Sequence, residues 1–189
     1  MSAGFFERYK KGIIAFFVIA AAFAAMWLLA VGLQKREENR AEWTVRYTEE
    51  VAAAAAKYDV PASRIYAVIK VESDFDPKAE SSHGARGLMQ MLPSTFEEQC
   101  EVRGEKYDAS RLYEPAVNID YCTEYLKILY DMTEDWRWAH IAYFAGIGNV
   151  LRWIDAGYTP ENIPMDSAKT YLRRINDAFA AYDELLKTE

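Results

Sequence analysis

Apolar residues fall along this chain in two patterns. From Ile13 to Leu33 they form an unbroken run, IIAFFVIAAAFAAMWLLAVGL. As a helix rising about 1.5 Å per residue, the run is roughly 31 Å long, enough to cross a bilayer core of ~30 Å. Beyond it, apolar positions recur every three or four residues, the spacing of one helix face. No segment alternates strictly enough to predict a strand.

The periodic part predicts seven helices. The first covers Thr44–Tyr58, with the alanine run Ala52–Ala56 suited to close helix packing. Pro61 opens a second that runs to about Asp74, with Pro77 marking the exit. SSHGARG, Ser81–Gly87, reads as a turn-rich loop. A third helix starts near Pro93 and ends around Gly104, and a fourth covers Pro115–Met132. Asp135 caps a fifth that Gly146 closes. NVLRWIDAG is a short sixth, and Asp166 caps a long terminal helix ending in DELL. The expected fold class is all-α.

These patterns divide the chain into an N-terminus (1–12), a membrane-spanning helix (13–33), a linker (34–43) and a helical domain (44–189). Arg8, Lys10 and Lys11 precede the apolar run, which predicts a cytoplasmic N-terminus and a domain on the outer face. A cleaved signal peptide is the rival reading, with AFA at Ala22–Ala24 as its cleavage site. A retained anchor fits better, because the run exceeds the roughly 7–15 apolar residues of a signal sequence.

Charge narrows the partners of the domain. The whole chain carries −7, and its first residues are net basic, so the remainder is more acidic still. That argues against nucleic acid or anionic lipid as its main partner. Export would allow Cys100 and Cys122 to pair. Two buried free thiols are the alternative, but both cysteines fall on segments that read as neighbouring helices, so a disulfide is expected. No metal or cofactor is expected, since no histidine cluster accompanies the cysteines.

One charged residue breaks the pattern. In RIYAVIKVESDFDP, with Ile65 as origin of a helical wheel, Ile69 falls near about 40°, Val68 near about 300° and Phe75 near about 280°. Glu72 falls near about 340°, among them, whereas Lys70, Ser73 and Asp74 lie on the other side. Burial raises a carboxyl pKa, and an acid still protonated near neutrality can donate a proton to a leaving oxygen. An ion pair with an arginine such as Arg86 explains the position at least as well.

Four stretches change that balance. VIKVESDFDP, GARGLMQMLPST, PAVNI and AYFAGIGNV follow one another in order and spacing. Together they resemble the motifs of the soluble-lytic-transglycosylase type of catalytic domain, a lysozyme-like α-fold related to goose-type lysozyme. The resemblance covers roughly residues 44–182. It implies that Glu72 is a single catalytic acid that later acts as base. It implies that Ser81 helps hold an N-acetyl group, and that Gly87, Met89 and Gln90 in GLMQ contact glycan. Tyr143 is implied to face the catalytic acid. The implied substrate is the β-1,4 bond between N-acetylmuramic acid and N-acetylglucosamine in peptidoglycan. Ordinary glycosidases use two carboxylates, and no second acid shares the arc with Glu72. In the family the substrate's acetamido group assists, and the muramic O6 closes a 1,6-anhydro product.

The chain departs from the family pattern in places. Phe144 stands where the family has Asn, Leu92 replaces a Met, and Met165, Ser167 and Ala168 alter the C-terminal motif. His83 reads as a rim residue and His140 as helix packing. Of Trp136, Trp138 and Trp153, at least two read as core. Three functions stay open at this point: a membrane-anchored lytic transglycosylase, a hydrolytic muramidase, and a non-catalytic glycan-binding or assembly factor. Service to a secretion system, pilus or flagellum, or to wall turnover, is compatible with the first.

Overall fold

The computed structural model describes residues 21, 23–32, 43 and 45–187. The chain divides into two compact units, Met1–Thr44 and Val45–Glu189. In the first, residues 21 and 23–32 are helical, and Phe23, Met26, Trp27, Leu28 and Leu29 are exposed. The rest of the expected membrane-spanning segment lies outside the described residues. Among the described residues, no helix is long and apolar enough to cross a membrane.

The second unit is helical. We label its helices α1 (Thr48–Tyr58), α2 (Ala62–Ser73), α3 (Pro93–Arg103), α4 (Pro115–Thr133), α5 (Trp136–Ala145), α6 (Ile147–Asp155) and α7 (Asp166–Leu186). A 3-10 turn at Ala109–Tyr113, which the periodicity does not predict, precedes α4. Its start is fixed by Asp108, whose side chain accepts from the Ser110 backbone N–H. Among the described residues, β-structure is limited to isolated bridges pairing Arg86 with Glu80 and with Met91.

Helix ends follow local chemistry, with two differences from expectation. α1 begins at Thr48, not Thr44, because Tyr47 adopts a left-handed φ of 56°. Met165, not Asp166, is the N-cap of α7; Asp166 is its first residue, where a carboxylate suits the helix dipole. Asp135 does cap α5, accepting from Arg137 N–H at 2.8 Å. Gly104 closes α3 in the left-handed region.

The core forms where α2 packs along α7. Ala168, Tyr171, Leu172, Ile175, Ala178 and Tyr182 line the buried stripe of α7, at helical spacing. Ile65, Ala67, Val68 and Ile69 of α2 are completely buried. Tyr66 and Tyr182 stack at 5.2 Å across this seam, and the Phe75 ring meets Tyr182 at 6.5 Å. Each such large apolar side chain contributes about 1.5–3 kcal/mol when buried. This seam positions the end of α2, where Glu72 sits.

Cys100 and Cys122 are both buried and both free, so the expected disulfide is not formed. Each thiol has its own neighbour. Cys100 Sγ lies 3.8 Å from the Tyr121 hydroxyl, and Cys122 Sγ lies 3.7 Å from Asn118 Oδ1. A disulfide needs the two side chains aimed at one another, and here each sulfur meets a polar neighbour of its own.

Candidate active site

Glu72 occupies the last turn of α2, and the chain leaves the helix abruptly after it. Asp74 and Phe75 both take left-handed φ values, 50° and 67°. For a bulky residue such as Phe75 this region is strained. Its ring is 2% exposed, and that burial offsets the strain. Ser73 Oγ donates to Leu88 O at 2.7 Å, tying the helix end to the loop that follows.

The carboxyl of Glu72 is part-buried, and its partner comes from 99 positions away. Tyr171 of α7 donates its hydroxyl hydrogen to Glu72 Oε1 at 2.8 Å. Burial pushes the Glu72 pKa up to about 7, against the Tyr171 hydrogen bond and the nearby Arg174 charge, which both favour the anion. Arg174 itself donates to Val71 O at 3.0 Å. Arg86 is not the partner: it pairs with Glu80 at 3.4 Å and lies over the Tyr113 ring. Asp74 pairs with Lys70 at 2.6 Å, and Asp76 accepts from Lys78 N–H, so both acids nearest in sequence are engaged elsewhere.

The loop 79–91, tied to the end of α2 through Ser73, is held in shape by contacts of its own. Gly87 has φ 78°, and a Cβ there would lie 2.1 Å from Leu112 O and 2.4 Å from Asn118 Nδ2. Only glycine fits. Met89 is completely buried, so the glycan contact expected of its side chain is not available to it. Gly87 is buried as well. Both contribute backbone hydrogen bonds, Met89 N–H to Asn118 Oδ1 and Gly87 N–H to Ala79 O. Gln90 Nε2 donates to Ala79 O at 3.0 Å and to Gly87 O at 2.9 Å, which uses its amide hydrogens inside the loop. Ser81 Oγ accepts from Ala85 N–H at 3.0 Å and from His83 N–H at 3.3 Å. Its own hydroxyl hydrogen takes no part in those two bonds.

Tyr143 of α5 reaches the same place. Its hydroxyl donates to Met89 O at 2.8 Å. Burial, and then the neighbouring Cys122 and Glu72, hold its pKa well above the ordinary phenol value, so it stays neutral. The Cys122 thiol beneath it is pushed up to about 12, mainly by burial. Glu72, Met89 and Tyr143 are therefore neighbours in the fold.

Two residues of the cluster had no role in the sequence reading. Asn118 is completely buried. Its Oδ1 accepts from Met89 N–H at 2.8 Å, and its Nδ2 donates to Arg86 O and Leu112 O, each at 2.9 Å. It clamps the loop from below, and its place in PAVNI was the available signal. Tyr171 lies inside the altered C-terminal motif, which hid it. Of the other candidates, His83 is exposed, and His140 is completely buried; that burial, helped by the nearby Arg64 charge, holds its pKa down to about 3. Trp138 is 8% exposed, and Trp136 stacks on Tyr130 at 4.2 Å.

Comparison with known proteins agrees with this geometry. Residues 49–165 match the family described as Transglycosylase SLT domain. The chain belongs to that family. It is 38% identical over 125 residues to membrane-bound lytic murein transglycosylase C of Haemophilus ducreyi, covering 60% of this chain and 34% of the relative. It is 32% identical over 136 residues to soluble lytic murein transglycosylase of Escherichia coli K12, covering 66% of this chain and 21% of the relative. Among solved structures, the 70 kDa soluble lytic transglycosylase from Escherichia coli superposes with TM-score 0.72 at 25% identity, covering 76% of this chain and 25% of that one. An inactive mutant of the lytic transglycosylase Slt from Pseudomonas aeruginosa gives TM-score 0.71 at 27% identity, covering 77% of this chain and 25% of that one. The chain thus spans well under half the length of these relatives.

Proposed function

We propose that this chain is a membrane-anchored peptidoglycan lytic transglycosylase with Glu72 as its single acid and base. The observation that carries the reading is the Glu72 carboxyl, part-buried, held by Tyr171 at 2.8 Å, and with a pKa pushed to about 7 mainly by burial. Such a group is protonated in part near neutrality and can both give and take a proton.

The reaction follows from that one group. The Glu72 carboxylic acid donates its proton to the glycosidic oxygen as the C1–O bond breaks. The substrate's 2-acetamido oxygen supports C1, standing in for the second carboxylate of ordinary glycosidases. The muramic O6 then forms the new bond to C1 and gives its proton to the Glu72 carboxylate. The enzyme returns to its starting state and no water is consumed. Ser81 has a hydroxyl hydrogen left to donate to the acetamido carbonyl. Tyr143, its hydrogen engaged by Met89 O, presents oxygen lone pairs to the positive charge that develops at C1. Gln90 meets glycan through its carbonyl oxygen, while Gly87 and Met89 hold the loop.

Anchoring through residues 13–33, with the catalytic domain on the outer face of the cytoplasmic membrane, is supported by the apolar run and its basic flank. The names of relatives, membrane-bound lytic murein transglycosylases, support membrane association more generally.

Mass spectrometry of the muropeptides released from purified peptidoglycan tests the reading. Wild type is expected to yield 1,6-anhydro ends, and Glu72→Gln to lose about 10²–10⁴-fold in rate. Products one water heavier would make the protein a hydrolytic muramidase instead. Intact strands with wild type would leave a glycan-binding factor.

A further inference from the structure

Phe144 ends in a position that the chemistry above does not use. It is the next-to-last residue of α5, two before Gly146, whose φ of 84° turns the chain into α6. Its ring stacks on Tyr171 with centroids 4.7 Å apart and planes 21° from parallel. Tyr171 is 4% exposed, whereas Phe144 is 45% exposed. One face of the Phe144 ring is thus covered by the tyrosine that holds Glu72, and much of the rest of its surface is open to water. A large aromatic side chain left half in water, one ring away from a catalytic carboxyl, is an unusual use of apolar surface.

We infer that Phe144 is a sugar-stacking platform, a specificity-determining residue that takes the flat face of a β-1,4-linked hexosamine next to the scissile bond. The inference rests on the glycan substrate of the preceding section. A pyranose in a β-1,4-linked strand carries its substituents around its edge and presents axial C–H groups on its faces. Those faces are apolar and match an aromatic ring in size. The occupant is argued from continuity: Phe144 touches Tyr171, and Tyr171 touches Glu72, so a strand seated for cleavage passes within reach of the exposed ring.

The stack has a consequence for recognition. An aromatic face reads the shape of a sugar ring and makes no directional bond to its substituents. Asparagine, the family's residue at this position, offers an amide and no ring. Phe144 therefore adds affinity for strands long enough to cover it, and this appears in KM rather than kcat. The Tyr171 ring backs the platform and fixes its orientation, so little side-chain freedom is lost on binding.

Calorimetric titration of a linear β-1,4-linked N-acetylglucosamine hexamer into Glu72→Gln protein tests this without turnover. Adding Phe144→Ala to that background is expected to weaken binding by about three- to tenfold. Phe144→Trp is expected to keep the affinity, and Phe144→Asn to behave like alanine. In the enzyme with Glu72 intact, Phe144→Ala should raise KM for glycan strands by the same factor and change kcat by less than about twofold. Equal affinity of the alanine variant and its parent overturns the inference. So does a loss confined to kcat with a displaced pH profile, which would mean that Phe144 acts only by steadying Tyr171. Thermal melts of each variant separate both results from a folding defect. A wild type that binds the hexamer through Phe144 yet leaves strands uncut would sink the transglycosylase reading and leave the platform standing.

Discussion

Two carboxyls in this molecule have similar surroundings and opposite behaviour. Glu72 and Asp120 are both part-buried, and each accepts a tyrosine hydroxyl, from Tyr171 at 2.8 Å and from Tyr58 at 3.0 Å. Burial is the largest influence on each. At Asp120 it is outweighed: Lys57 donates at 2.8 Å and Arg103 at 2.6 Å, and the pKa is lowered. At Glu72 no cation among the described residues makes contact through a hydrogen bond; Arg174 acts through its charge, and the pKa rises to about 7. Two cations in contact turn a buried acid into a strut. Their absence leaves an acid that still holds its proton. Arg103 also grips Glu124 at 2.6 Å and lies 3.6 Å over the Tyr121 ring, so the strut ties α1, α3 and α4 together.

The largest effect is expected at the strut. Arg103→Ala leaves Asp120 and Glu124 part-buried with less compensation, and should cost about 3 kcal/mol in urea unfolding at pH 7. Catalysis per folded molecule should persist. Because the Asp120 pKa is depressed in the fold, the stability it contributes is present above its ordinary pKa and lost as pH falls through the folded value. The wild type and Arg103→Ala should therefore converge in acid. A stability change under about 0.5 kcal/mol would reduce the cluster to a surface ion pair.

The second break is at the acid itself. Glu72 has a folded pKa near 7 against 4.5 unfolded, so the fold binds the extra proton between these values. The favourable contribution is whole below about pH 4.5 and gone once pH has risen past about 7. Glu72→Gln, which cannot ionise, should match wild type near pH 4 and be more stable by about 1–3 kcal/mol near pH 8. Chemical denaturation at the two pH values reads this directly. Equal stability at both would mean the carboxyl is not desolvated.

The finest adjustment is Tyr171→Phe. It removes the hydrogen bond that favours the Glu72 anion, so the Glu72 pKa should rise further. The alkaline limb of kcat/KM should move to higher pH, with a rate loss on the order of fivefold at the optimum. A limb that moves to lower pH would reverse the assignment of Tyr171 as the group that steadies the charged form.

Much of the local architecture was legible in the residues. Period-3.6 patterns placed all seven helices of the domain, because each buries one stripe. Asp135, Pro93, Gly104 and Gly146 marked ends through backbone chemistry that acts over a few residues. The 3-10 turn before α4 was not legible, since five residues are too few to show a period. The start of α1 was misplaced because nothing in the pattern marks Tyr47 as left-handed. The site divided in the same way. Glu72 stood out on its own helix, yet Gly87 and Met89 gave no sign in the pattern that they are buried supports.

The sequence by itself determined the all-helical class, the acid on an apolar arc, and the order of motifs that marks the family. These are local properties, set by spacing along one element or by short stretches in series. Only the tertiary structure decided which groups meet that acid. Tyr171 reaches Glu72 because α7 packs along α2, and Asn118 clamps the loop because the start of α4 passes beneath it. The same packing gave Arg86 to Glu80 instead of Glu72, kept the two thiols apart, and laid the Phe144 ring on Tyr171. Each is a meeting of side chains from different elements, and hydrophobic burial, which has no direction of its own, fixes such meetings only when the helices dock.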